Sequence, residues 1–160
     1  MKTDIQKCLE IYQEQLNDGY IQTAYIAITK YVTELKRYFD RYYSVSSVGL
    51  GYLDYTYFYF TNDHIKEKNL KYALVFNHEK LQFELWLCAR VAQDKKRYWN
   101  LLIESKWNKN KKVMPKYGII EITLDVMVDF DDQEKMSKSI IAEANQKVLE
   151  IENYLKQIDL

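Results

Sequence analysis

Asp54, Glu84, Glu121 and Asp125 fall on the less apolar faces of segments that alternate with a period of two. Carboxylates gathered on one sheet face can hold a divalent cation through oxygen ligands, or act as a general acid and base. Thr56, Gln82 and Thr123 interleave with them, which is also the pattern of a solvated sheet face. Aromatic residues complicate that plainer reading. Tyr52, Phe58 and Trp86 share these faces, and a row of exposed rings needs a reason. The candidate ligand-binding groove is therefore Tyr52, Asp54, Thr56, Glu84 and Trp86. Asp54 and Glu84 matter most, because each lies mid-strand among apolar neighbours and needs a partner: solvent, a cation, a tyrosine hydroxyl or a ligand. Lys and Tyr are plentiful and no nucleophile accompanies the pair, so a structural partner such as Arg90 or a lysine is favoured.

Other constellations carry less. The core order αβββαβ is shared with restriction-endonuclease-like proteins, which place an acid on one hairpin strand and Glu-x-Lys on the next. Here Glu84-Leu85-Trp86 has Trp in place of Lys, and Tyr72-Ala73-Leu74-Val75-Phe76 has no carboxylate. A metal-dependent hydrolase or degenerate nuclease using Asp54 and Glu84 stays as the alternative, short of ligands and of a charge stabiliser. Lys106, Lys109, Lys111, Lys112 and Lys116 run without an intervening acid, beside Trp107 and Tyr117. Such a stretch can hold single-stranded nucleic acid. A solvated loop is the expectation, with at most weak, salt-sensitive binding and no sequence preference. His64 and His78 have no second ligand at zinc spacing, and no phosphate-binding glycine loop or GxSxG elbow occurs. Cys8 and Cys88 sit in apolar patterns and read as buried free thiols.

Composition sets the frame for these groups. Lys plus Arg equals Asp plus Glu at 23 each, which argues against a surface built wholly for nucleic acid or anionic membrane. Only 4 Gly and 1 Pro in 160 residues leave little chain for irregular loops, so most of it must be helix or strand. The charged N-terminus does not read as a signal peptide, and no apolar run reaches the length of a membrane span. A cytoplasmic protein without a cofactor is expected, and lysine-rich usage suggests a bacterial source.

The elements that must position these groups follow from periodicity. Thr3 and Gln6 form a capping box before the stripe Ile5, Cys8, Leu9, Tyr12 and Leu16, and Asn17-Asp18-Gly19 ends that helix. A second helix runs from about Tyr20 to Tyr42, antiparallel to the first. Leu50 to Phe60 reads as one strand, and Thr61 to Leu70 as a polar connection with one helical turn. Lys71 to Arg90 is a hairpin. With His78-Glu79 at its turn, Phe76 pairs near Leu81, and Leu81, Phe83 and Leu85 are buried together. That turn lacks glycine, so a longer loop is an alternative. Asp94 caps a helix through Tyr98, Trp99, Leu101, Leu102 and Ile103, an expectation from its spacing. Tyr117 to Val128 alternates as a fourth strand, with Ile119, Glu121 and Thr123 facing away from the core. Asp131 and Glu134 open a final helix with the stripe Ile141, Ala144, Val148, Ile151, Leu155 and Ile158. That stripe is core first, with a homodimer seam as the alternative. The expected fold class is a single α+β domain: an N-terminal αα-hairpin, a four-stranded largely antiparallel sheet in the order ααβββαβα, and a long C-terminal helix.

Gly51-Tyr52-Leu53-Asp54-Tyr55-Thr56-Tyr57-Phe58, Val75-Phe76-Asn77-His78-Glu79-Lys80 and Phe83-Glu84-Leu85-Trp86-Leu87 resemble a family of uncharacterised bacterial proteins, a domain of unknown function. Trp99, Trp107-Asn108 and Asp129-Phe130-Asp131-Asp132 continue the resemblance over most of the chain. It implies no activity and transfers no site residue. A non-catalytic binding or interaction module, with an unknown small molecule or a protein as partner, is therefore the functional expectation. Membrane and nucleic acid are disfavoured as partners.

Overall fold

The computed structural model describes residues 3–158. Along the chain these form α1 (Ile5–Asn17), α2 (Tyr20–Phe39), β1 (Ser44–Val45), β2 (Gly49–Leu50), β3 (Tyr55–Thr61), α3 (Asp63–Glu67), β4 (Leu70–Asn77), β5 (Gln82–Ala89), α4 (Ala92–Leu101), β6 (Ile120–Thr123) and α5 (Gln133–Gln157). Every strand pairing is antiparallel, in the order β1–β3–β4–β5–β6, with β2 also on β3. The α+β class, the helical N-terminus and the long C-terminal helix match the expectation. The sheet has 6 strands where four were expected.

The extra strands come from residues 44–54. The run Leu50–Phe60 is not one strand. It breaks at Gly51–Asp54, and β2 folds back so that Gly49 pairs with Tyr57 and Leu50 with Thr56. A Cβ at position 49 would lie 2.5 Å from the Tyr57 ring, so a larger residue there would force that ring to move. β1 pairs with the far end of β3, Ser44 opposite Thr61. Strands of two residues carry no alternation, which is why the sequence hides them.

The β4–β5 hairpin sorts its residues by parity as expected, but two residues out of register. Phe76 pairs with Phe83 and Asn77 with Gln82, so His78–Leu81 forms the loop. Leu81 is therefore at a turn with φ 48° and 61% exposed, not buried opposite Phe76. A shift of two keeps each side chain on its face. Tyr72, Leu74, Phe76, Phe83, Leu85 and Leu87 all bury inward with Phe58 and Phe60. On β6, Ile120 and Ile122 join them, and Ile119 is fully buried as well, contrary to its expected outward place. Its amide donates to the Leu87 carbonyl where the regular pairing ends.

α2 and α5 cover this inner face through Tyr31, Val32, Leu35 and Phe39 and through Ile140, Ala144, Val148, Ile151 and Leu155. A buried hydrogen bond of 2.8 Å joins Tyr31 Oη and Ser137 Oγ across the two helices. The chain's own core thus takes up Ala144, Val148, Ile151 and Leu155 of the expected α5 stripe, with Ile140 buried in place of Ile141, which stays partly exposed like Ile158. Asp4 and Asp132 are the N-caps of α1 and α5, accepting from the Lys7 and Lys135 amides; each lies one residue after the cap expected from the sequence. Gly19 takes φ 74° between α1 and α2, the conformation glycine adopts freely. α1 buries none of its residues, so Cys8 is exposed, and only Cys88 is the buried free thiol that both were expected to be.

Candidate functional site

The helices lie on one side of the sheet, and the opposite face is the candidate site. The pairing aligns Tyr57–Val75–Glu84–Thr123 in one row across this face and Tyr59–Ala73–Trp86–Glu121 in the next, with Lys71–Cys88 beyond. Ala73, Val75, Trp86 and Cys88 form a buried apolar floor flanked by Tyr55, Tyr57 and Tyr59. Above it opens a cavity of about 310 Å³, walled by the Leu50–Tyr52 turn and by Tyr117, with no helical residue in its lining. Trp86 and Tyr117 stack, 6.0 Å apart and 5° from parallel. Tyr55 meets both edge-on, at 5.1 Å from Trp86 and 5.8 Å from Tyr117. Lys71 Nζ sits 3.4 Å from the centre of the Tyr59 ring, a cation–π contact at one end of the groove.

Burial sets the ionisation of these groups. It pushes the Tyr59 hydroxyl up to about 12, with Cys88 and Tyr57 adding to the shift. It pushes the Cys88 thiol up to about 12 despite nearby Lys71, so the sulfur is protonated at neutral pH and a poor nucleophile. Tyr55 is raised by burial first and then by Glu84, Glu121 and Asp54. Lys71 is lowered, chiefly by burial. The groove is thus a polarisable aromatic surface with a lysine at one end.

The residues singled out from the sequence separate. Trp86 is in the floor, and Tyr52 and Asp54 line the rim. Tyr52 is 98% exposed, so its ring packs on nothing. Asp54 precedes β3, and its Oδ1 accepts from the Tyr52 and Tyr55 amides, at 2.9 and 2.7 Å, fixing the turn that carries the rim. Glu84 does share a face with Trp86, but it lies beneath the groove edge. Its Oε1 accepts from Asn77 Nδ2 and Gln82 Nε2, and its Oε2 from Trp86 Nε1 at 2.7 Å. The partners are amides and an indole, not Arg90 or a lysine. Glu84 therefore orients Trp86 from below. Among the described residues, no three of His, Cys, Asp and Glu converge as metal ligands.

Thr56 lies on the opposite face, because β3 presents its odd positions to the groove and its even ones to the core. Its Oγ1 is 2.8 Å from His78 Nε2, and the His78 ring packs between Tyr25 and Phe76. Burial lowers the His78 pKa below its ordinary 6.5, more than Asp54 raises it. A histidine depressed in the fold takes up its proton more readily when unfolded. Its contribution to stability is complete above pH 6.5 and lost as the pH falls from there through the lower folded pKa. Thermal midpoints should drop on acidification below that value, and His78→Gln should flatten the slope in this window. An unchanged slope in the variant assigns the drop to other groups.

Part of the basic stretch after α4 is tied into the fold, while Lys109, Lys112 and Lys116 stay exposed. Lys106 pairs with Glu150 at 2.7 Å, and Lys111 reaches Asn108 Oδ1 at 3.3 Å. Lys95 Nζ binds the Pro115 and Lys116 carbonyls, each at 2.6 Å. Buried Asn108 donates to the Ile119 carbonyl. These bonds hold the loop so that Tyr117 stands at the groove wall. Sequence reasoning missed Tyr55, Tyr57, Tyr59, Tyr117 and Lys71 as groove residues. A signal was present in β3: Phe58 and Phe60 occupy one parity and Tyr55, Tyr57 and Tyr59 the other. Rings with hydroxyls belong on the face that reaches water.

Fold and site together define a helix-backed antiparallel sheet with an open aromatic groove on its free face. The chain belongs to the DUF7000 family, a domain of unknown function whose profile matches residues 5–155. No curated protein and no solved structure matches it. Among the described residues, no helix is long and apolar enough to cross a membrane.

Proposed function

We propose that this protein is a non-catalytic binding module whose ligand is a small molecule with a flat ring, held in the outer-face groove. One observation carries the reading. The outer face of the sheet sets Tyr55, Tyr57 and Tyr59 around a buried floor of Ala73, Val75, Trp86 and Cys88, the loop residue Tyr117 closes one side, and no helical residue lines the groove. Tyr117 is exposed and Tyr55, Tyr57 and Tyr59 are half-buried, so their rings present apolar surface suited to stacking above the buried Trp86. The volume fits a compact ligand, at the lower end of the range of small-molecule sites. The local chemistry does not favour catalysis by the neighbouring groups: the thiol is protonated, Glu84 is fully engaged with N–H donors, and Asp54 fixes a turn.

The test is a nuclear magnetic resonance titration of the full chain with a panel of single-ring and fused-ring heteroaromatic compounds. Saturable shifts are expected at the Trp86 indole N–H and at the Ala73, Val75 and Cys88 amides. Tyr117→Ala, which removes an exposed wall, should weaken binding by about fivefold or more, as loss of one stacking ring does. No saturable change at these resonances up to about 10 mM compound, a range that would capture even millimolar affinity, overturns the reading.

A further inference from the structure

A second cavity adjoins the groove and differs from it in chemistry. Its volume is about 360 Å³, and Ser44, Val45, Ser46, Thr61, Lys66 and Arg90 line it together with Tyr59 and Lys71, which it shares with the aromatic groove. Three cations from three elements meet here: Lys66 from α3, Lys71 from β4 and Arg90 at the end of β5. None forms a salt bridge among the described residues. Asp63 and Glu67 line a neighbouring opening that shares Lys66 and Arg90, and neither forms a salt bridge with them. The chain has no net charge, so three unpaired cations around one hollow are a local concentration and not a general excess.

We propose that the aromatic groove and this basic pocket are two halves of one site for a flat heterocycle carrying a phosphate, the chemistry of a mononucleotide. The proposal rests on the groove reading above and adds the anionic half. The ring packs on Tyr55, Tyr57 and Tyr117, above the buried Trp86. The phosphate lies past Tyr59, where Lys71 marks the junction and Lys66 and Arg90 supply the remaining charge. A phosphate dianion suits this arrangement better than a carboxylate, because it can engage several donors at once and Arg can bind it through a fork of N–H groups. Lys71 is half-buried and held over the Tyr59 ring, so part of the cost of ordering it is met before the ligand arrives.

The experiment compares adenosine 5′-monophosphate, adenosine, phenyl phosphate and inorganic phosphate by calorimetry and by the same resonances, at low ionic strength. The monophosphate should bind about tenfold or more tightly than adenosine, and that gain should shrink with added salt. Lys66→Gln with Arg90→Gln, both at exposed positions, should remove the gain while leaving adenosine affinity unchanged. If adenosine and its monophosphate bind equally and the double variant changes nothing, the two-part site fails while the aromatic groove stands. If neither binds but other rings of the panel do, the groove stands and the nucleotide assignment fails. Phenyl phosphate matching the monophosphate would reduce the ligand to any aryl phosphate and overturn the heterocycle. A single-stranded oligonucleotide binding far more tightly than the mononucleotide would replace the small-molecule reading with a strand-binding one.

Discussion

Phe83→Ala is expected to destabilise the protein by about 3–5 kcal/mol, the cost of removing a buried ring from a core that can close only partly over the space. Phe83 is 1% exposed on the inner face of β5, near the hairpin loop. Its ring meets Phe76 at 5.0 Å on the neighbouring strand and Tyr31 at 5.8 Å on α2. Tyr31 in turn touches Phe130 and holds Ser137 of α5, so the cavity opens where sheet, α2 and α5 converge. Urea unfolding of the wild type and variant measures the difference as a shift in midpoint at constant slope. A loss below about 1 kcal/mol would show that the helices collapse onto the vacancy and that packing here is looser than the burial implies.

Glu84→Gln should cost about 1–3 kcal/mol even though it changes no shape. All three partners of the carboxylate are N–H donors, from Asn77, Gln82 and Trp86. A glutamine offers one acceptor oxygen and turns its own amide hydrogens toward a donor. At least one buried N–H is then orphaned, and the charge-assisted bonds become neutral. The Trp86 indole resonance should move, and unfolding should shift to lower denaturant. A ligand bound by the folded variant should keep most of its affinity, because Glu84 orients Trp86 and does not line the cavity. Unchanged stability with abolished binding would reverse this assignment and make Glu84 a ligand contact.

The long elements were legible because each carries its own period. α5 buries most of its expected stripe, and the β4–β5 faces sort by parity as read. What escaped depends on pairing between segments. Nothing within Leu50–Phe60 announces that Gly49 and Leu50 return onto Tyr57 and Thr56. That fold-back places Asp54 in a turn and gives the groove to the odd tyrosines. Thr56 was assigned to the groove by parity counted through a break that parity does not cross. Trp86 and Glu84 were placed on one face correctly because their strand is unbroken. The basic stretch was read by charge, but its contribution to the site is one ring, Tyr117, positioned by backbone carbonyls that Lys95 holds.

The apolar face of the hairpin does not fix its alignment by itself. Along β4 and β5 the inward positions are apolar at nearly every step, so a chain collapsing with Phe76 against Leu81 would bury almost the same surface as one with Phe76 against Phe83. Hydrophobic collapse alone separates these two alignments poorly. The polar cluster on the other face does so, because only the native alignment sets Asn77 opposite Gln82 and both beside Glu84. In the slipped hairpin Glu84 faces Ala73 and its carboxylate lacks the Asn77 amide. A single buried carboxylate thus works as a proofreading element for strand alignment.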